Sequence, residues 1–292
     1  MITVSSVTQH RAITIRDIDL ISEMREVESL QKEVWACDDR DLVPLTLLAA
    51  TREIGAILVG AFDGPSLIGF AYSLVGREGE RMVHHSHMLA VKPSYRNENL
   101  GYKLKLAQRD RALAQGITRM TWTFDPLQSL NAYFNFAKLG VVANAYKINF
   151  YGEATSSFLH QIGTDRLWVT WPLDSSRVRE RLQTKDQSKT SNLDLDRIPS
   201  LVRVGPNKAP QSGHSSEGFL QNDVSIEIPA DINALQRESP ELAVRWREAT
   251  RWAFSKAIAS GYQIEDFCGA SRNEQSVGVY LLSYRARVKD SR

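Results

Sequence analysis

Met88-Leu89-Ala90-Val91-Lys92-Pro93-Ser94-Tyr95-Arg96-Asn97-Glu98-Asn99-Leu100-Gly101-Tyr102-Lys103-Leu104 reads as a buried strand, a tight loop and a helix that opens on Gly101. A strand that feeds a helix start through a short loop is built for phosphate. The first backbone N–H groups of a helix have no partner inside it, and the helix dipole adds partial positive charge there. The spacing matches neither GxxxxGK followed by Ser or Thr, nor GxGxxG. What stands here is Arg96-x-x-Asn99-x-Gly101.

The rest of the chain bounds the partners. The 292 residues are 42% hydrophobic and 24% charged, values of a globular protein with one large or two modest domains. A formal net charge of +2 is too small to argue for nucleic acid or an anionic membrane. Cys37 and Cys268 lie far apart, with no metal-ligand spacing and no disulfide framework. Met1–Arg16 lacks the apolar core of a signal peptide, and no apolar run approaches the roughly 18 residues that span a bilayer. The expectation is a soluble cytoplasmic protein without a metal.

Outward from the loop, the pattern is mixed. Ile13–Arg16 reads as a strand, Asp19–Trp35 and Pro44–Ile54 as helices, and Ala56–Phe62, Leu67–Val75 and Met82–Val91 as three strands, the first two joined by Asp63-Gly64. Gly101–Gln115 is a helix ended by Gly116, Met120–Phe124 a strand, and Ser129–Leu139 a helix capped by Ser129 and closed by Gly140. Val141–Phe150 and Leu167–Leu173 follow as strands. Residues 183–221 are rich in Ser, Pro, Gly, Asn and Lys and read as a linker, with strand character only in Arg197–Val204. A strand–helix–strand–strand unit then fills 222–292, its helix starting at Ser239-Pro240. The domains expected are therefore 1–182, 183–221 and 222–292.

The element order around Pro93-Ser94-Tyr95-Arg96 and Gly101 resembles the GNAT N-acyltransferase superfamily, whose phosphate loop runs Gln/Arg-x-x-Gly-x-Gly/Ala. Asn131-Ala132-Tyr133-Phe134-Asn135-Phe136-Ala137-Lys138-Leu139-Gly140-Val141 is similar to that superfamily's N…Y-x-K-x-G-F helix. The resemblance covers about Thr14 to Leu173. Trp122–Leu127 and Ile226–Asp231 also resemble a bacterial subgroup of predicted acetyltransferases with a C-terminal extension, some linked to N-succinylation of amino acids. Two positions depart from the pattern. Asn99 replaces the middle Gly, and Asn tolerates positive φ. Phe136 replaces the Tyr that many members use to protonate the leaving thiolate.

The resemblance implies a mixed, mostly antiparallel α/β sheet flanked by helices, with a smaller C-terminal α/β unit. It implies acetyl-CoA or another acyl-CoA as donor and a small-molecule amine as acceptor, joined by direct attack in a ternary complex. Arg96, Asn97, Glu98, Asn99, Leu100, Gly101 and Tyr102 would hold the pyrophosphate. Leu89, Ala90 and Val91 would pair with the pantetheine, and Asn131 and Phe134 would touch it. The Leu89 N–H would donate to the thioester oxygen. An attacking amine of pKa about 10.4 needs a base at neutral pH. His85 lies where several members carry a catalytic Glu, and His85, His87 and Leu89 should alternate onto one strand face, with His84 opposite. Asp125 would bind the amine or cap the next helix. Tyr133, Tyr146 and Tyr151 are candidate acids, and Arg166 could pair a substrate carboxylate. A non-catalytic acyl-CoA-binding module, a protein-lysine acetyltransferase and a homodimer remain open alternatives.

Overall fold

The computed structural model describes residues 12–36, 38–96, 98–152, 162–183, 194–212, 221–272 and 274–285. It divides into two compact units, residues 1–117 and 118–292.

In the first unit the order is β1 (Ile13–Asp17), α1 (Ile21–Trp35), α2 (Leu45–Glu53), β2 (Ile57–Asp63), β3 (Ser66–Glu78), β4 (Arg81–Val91) and α3 (Leu100–Ala114). The four strands pair antiparallel in chain order. Asp63 pairs with Ser66 across a two-residue turn, with Gly64 at φ 58°. One sheet face packs on α1 and α2 through Met24, Val27, Leu30, Leu48, Phe62, Phe70, Tyr72 and Ala90. Gly69 has no room for a side chain: a Cβ there would lie 2.9 Å from the Ala90 carbonyl oxygen.

β4 is bulged. Tyr72 pairs with Met88 but Ser73 pairs with Ser86, so His87 is the extra residue. This corrects the expected alternation. Leu74, opposite His85, packs with Met88 and Ala90 on the α1/α2 core, so His85 belongs to that face. Ser86 bonds to α3, and Leu89 comes within 3.8 Å of where a Gly101 Cβ would be, so both face α3. His85 and Leu89 therefore lie on opposite faces.

The second unit contains β5 (Arg119–Phe124), α4 (Ser129–Ala132), β6 (Val142–Lys147), β7 (Arg166–Pro172), α5 (Ser176–Gln183), β8 (Ser200–Val204), β9 (Pro210–Ser212), β10 (Asp223–Pro229), α6 (Ile232–Glu238), α7 (Pro240–Ala259), β11 (Tyr262–Arg272) and β12 (Gln275–Tyr284). The strand order is β5-β7-β6-β11-β12-β10-β8-β9. Only β8 and β10 pair in parallel among the described strand pairs of this unit. β6 pairs with β11 at Ala143–Ile264, which joins the C-terminal strands to the same sheet. The compact units thus divide near Ile117 rather than at 182 and 222. Within the expected linker, β8 lies where strand character was read and β9 had no sequence reading; α6, in the expected C-terminal unit, had none either.

α4 continues as a π-helical segment, Tyr133–Leu139, that Gly140 closes at φ 73°. The wider turn lets Asn135, Phe136, Ala137 and Leu139 all face inward. Ser129 is not the cap: Gln128 holds that position and bonds no amide through its side chain.

Candidate active site

The loop after β4 is anchored from both sides. Tyr95 Oη donates to Asp63 Oδ2 at 2.7 Å, and Lys92 Nζ lies 3.5 Å from Glu33 of α1. Asn99 adopts the left-handed conformation (φ 59°, ψ 20°) that lets the chain turn into α3. No side chain caps the helix there. Lys103 N bonds back to Asn99 O, which leaves the Leu100, Gly101 and Tyr102 amides at the helix start without a helical acceptor. Gly101 has an ordinary negative φ, and an added Cβ would meet only Leu89, at 3.8 Å. Its glycine is therefore not required by backbone or packing and suits close approach by a ligand. Arg96, Glu98 and Lys103 are exposed around this start. Asn97 lies outside the described residues.

The β3–β4 ladder fixes which peptide groups of β4 are used. Lys92 N bonds to Ile68 O at 2.9 Å, continuing the register Gly69–Val91, Phe70–Ala90, Ala71–Leu89. Bonded and non-bonded pairs alternate in an antiparallel ladder. Ala90 therefore exchanges its bonds with Phe70, while Leu89 and Val91 point their N–H and C=O groups away from β3. Two outward peptide units leading to an uncapped helix start suit an extended chain that carries a pyrophosphate.

Three histidines of β4 differ sharply. His84 is buried: its Nε2 donates to Gln115 Oε1 at 2.7 Å and its Nδ1 accepts from Ser73 Oγ at 3.2 Å. Burial lowers its pKa, partly offset by Gln115. His85 is half-buried and is pushed down to about 4, first by burial and then by His87 and Lys105. His87 is exposed and sets its ring edge-on to Tyr72, 6.3 Å between centroids. Both are neutral bases at pH 7.

In the second unit the predicted residues part company. Asn131 is exposed on α4, with Tyr133 and Phe134 half-buried on the π-helical segment. Phe136 is wholly buried, edge-on to Phe124 and Tyr280. Asp125 is no amine site: its carboxylate takes both arms of the Arg247 guanidinium at 2.7 and 2.9 Å and the Leu127 amide at 2.9 Å. Tyr146 is no acid: its hydroxyl donates to Asp165 at 2.7 Å, and burial followed by Asp165 drives its pKa up. Burial opposes the Asp165 carboxylate, but bonds from Arg251, Asn149 and Tyr146 hold it below the usual range. Tyr151 is exposed, 3.3 Å from Thr123 Oγ1, and Arg166 is buried beneath its ring, 5.2 Å from the centroid. Arg166 Nη1 bonds the Asp165 carbonyl, and burial lowers its pKa.

Several participants escaped the sequence reading: Ser86, Lys105 and Gln108, and the arginines Arg247 and Arg251. The signal for Lys105 was a lysine on the buried stripe of a helix. Arg247 and Arg251 stand one turn apart on α7, but their carboxylate partners lie 122 and 86 residues away. Among the described residues no group of three His, Cys, Asp or Glu could hold a metal. No helix among them is long and apolar enough to cross a membrane.

Strand, bulge, loop and uncapped helix start together make up the candidate site. Residues 21–140, under half of the chain, match the acetyltransferase (GNAT) family model. Its fold supports acyl transfer from acetyl-CoA. Comparison with curated proteins gives no match. Among solved structures, the chain is similar to a GNAT-family acetyltransferase from Desulfovibrio desulfuricans, at 15% identity and TM-score 0.46, over 56% of this chain and 99% of that one. It is similar to the ribosomal-protein-S18-alanine N-acetyltransferase of Escherichia coli, at 14% and 0.44, over 56% and 96%. It is also similar to the PaiA N-acetyltransferase of Thermoplasma acidophilum in complex with coenzyme A, at 17% and 0.40, over 55% and 99%.

Proposed function

We propose that the protein is an acyl-CoA-dependent N-acyltransferase that acetylates a primary amine of a small molecule such as an amino acid, by direct attack. The carrying observation is the run from the outward peptide groups of Leu89 and Val91 to the uncapped start of α3, beside a neutral imidazole. When bound, acyl-CoA supplies a thioester carbon for the amine to attack. The amides of Leu100, Gly101 and Tyr102 bond the pyrophosphate, with Arg96 and Lys103 adding charge. The Leu89 N–H donates to the thioester oxygen as negative charge grows there; losing such a donor costs about 10²–10³ in rate. His85 takes the proton that the amine nitrogen releases as its bond to the acyl carbon forms; the bond to sulfur breaks, and CoA leaves as a thiolate that takes its proton from solvent. The same reading puts the protein in the cytoplasm, with acyl-CoA.

The test is thiol release from acetyl-CoA across a panel of amines, with His85→Ala alongside. Turnover that falls at least tenfold in the variant supports the role of His85; an unchanged rate from pH 6 to 9 removes it. Phe136 favours a second reading. A buried phenylalanine stands where the family's proton-donating Tyr would be. Tight CoA binding with no amine turned over would make the protein an acyl-CoA-binding module.

A further inference from the structure

Ser86 is the residue before the bulge, and two side chains from α3 hold it. Lys105 Nζ donates to Ser86 Oγ at 2.6 Å, and Ser86 Oγ donates to Gln108 Oε1 at 3.0 Å. Lys105 is 3% exposed and Gln108 0%. Lysine is almost never buried so fully. Gln108 Nε2 is also buried with no hydrogen-bond partner. Apolar side chains of the same shape would fill this space without desolvating a charge or orphaning a donor. Stability alone does not account for the trio.

We propose that Lys105 is a positioning residue for acyl transfer: with Gln108 it grips Ser86, keeps the β4 bulge at His87, and so holds His85 and the Leu89 amide where the reaction needs them. This rests on the acyltransferase reading. The bulge is what separates the two faces. A strand that slips by one residue turns every side chain over. Were the bulge to slide or vanish, His85 and Leu89 would lose their present relation, and the outward peptide groups would change identity.

Lys105 also acts through its charge. Burial lowers its ammonium to about 7, so both forms exist near neutrality. The charged form donates to Ser86, as observed. The neutral form has a lone pair, and the chain can then run in reverse: Gln108 Nε2, with its amide turned, donates to Ser86 Oγ, which donates to Lys105. Both polarities hold Ser86, and the reverse one satisfies the orphaned Nε2. Lys105 lowers His85 as well, after burial and His87. Several other charges on the packed elements have their own partners. His84 of β4 is held by Ser73 and Gln115, Asp17 of β1 by Arg111, Asp63 of β2 by Tyr95, and Arg109 of α3 by Asp110. Arg77 and Glu78 of β3 pair with the far end of β4.

The test compares wild type with Lys105→Met, reading kcat, KM and CoA affinity from pH 4 to 9. The Met variant should still bind CoA through the untouched helix start, but more weakly, because the outward peptide groups of Leu89 and Val91 shift. Its kcat should fall by about 10²-fold through misplacement. A step near pH 7 in the wild-type profile should disappear, and the acid limb set by His85 should move up from about 4. A Met variant with the wild-type profile at wild-type kcat overturns the proposal. Should that variant not fold, wild-type protein with ¹⁵N-labelled lysine decides: a side-chain amine titrating near 7 supports it, and all amines titrating near 10.4 overturn it. Should wild type bind CoA and acylate nothing, the enzyme reading fails separately. His85 titration by NMR then tests the coupling, and a value unmoved in Lys105→Met overturns it.

Discussion

Gly101 and His85 carry the site at the scale of single residues, and each makes a separate prediction. Gly101→Ala should unfold at the wild-type temperature, since its Cβ meets only Leu89 at 3.8 Å. Its KM for acyl-CoA should rise about tenfold, a loss of about 1.4 kcal/mol, because the methyl stands at the uncapped helix start. Equal KM in calorimetry and kinetics would remove Gly101 from the cradle. For His85 the sign follows from its position below the unfolded value of about 6.5. The unfolded chain binds a proton between pH 6.5 and 4 that the folded chain refuses. Stability from this residue is therefore complete above 6.5 and is lost as pH falls toward 4. His84 and His87 are lowered too and act in the same direction. Urea midpoints from pH 4 to 8 should decline on the acid side, and His84→Gln with His85→Gln should flatten the decline. Sequence made the loop legible at this scale, because Asn99 is one of few residues that turns left-handed and its neighbours fix the spacing.

Elements were legible where a period repeats. α1, α3 and α7 show their apolar stripes, and glycines Gly116, Gly140 and Gly261 mark helix ends at positive φ. The β4 bulge was not legible. Period-two alternation assumes an unbroken ladder, and the extra residue is set by what α3 presents to Ser86. The same blindness hid the ties of α7, whose arginines reach carboxylates far away in sequence. The Asp125–Arg247 pair is buried and bidentate. Removing one partner of such a pair leaves an unpaired buried charge, at a cost of about 3–5 kcal/mol. Arg247→Met should lower unfolding free energy by that amount in urea titration. Asp125→Leu combined with Arg247→Met should cost clearly less than Arg247→Met alone, because no charge remains buried. A double variant as unstable as the single would mean that shape, not charge, is what α7 supplies.

At the scale of the whole molecule the composition shift over residues 183–221 suggests a boundary, yet the sheet of the second unit runs through it. β6 pairs with β11, Phe136 packs on Tyr280, and Tyr280 Oη donates to Pro126 O at 2.7 Å. Asp125 and Asp165, both on the early side of the shift, take their cations from Arg247 and Arg251 on the late side. A chain ended after Gln183 would keep both carboxylates and lose both arginines, expose the β6 edge and open the aromatic cluster around Phe136. Breaking the buried Asp125–Arg247 pair alone costs about 3–5 kcal/mol, against a total stability of about 5–15 kcal/mol for a domain. Residues 1–183 expressed alone should therefore show no cooperative unfolding of the second unit by calorimetry, and exchange of the β5 and β7 amides should be fast. A cooperative transition with slow exchange in β5 and β7 would instead make residues 222–292 a separable domain. It would also mean that Arg247 and Arg251 are anchors that residues 1–183 can do without.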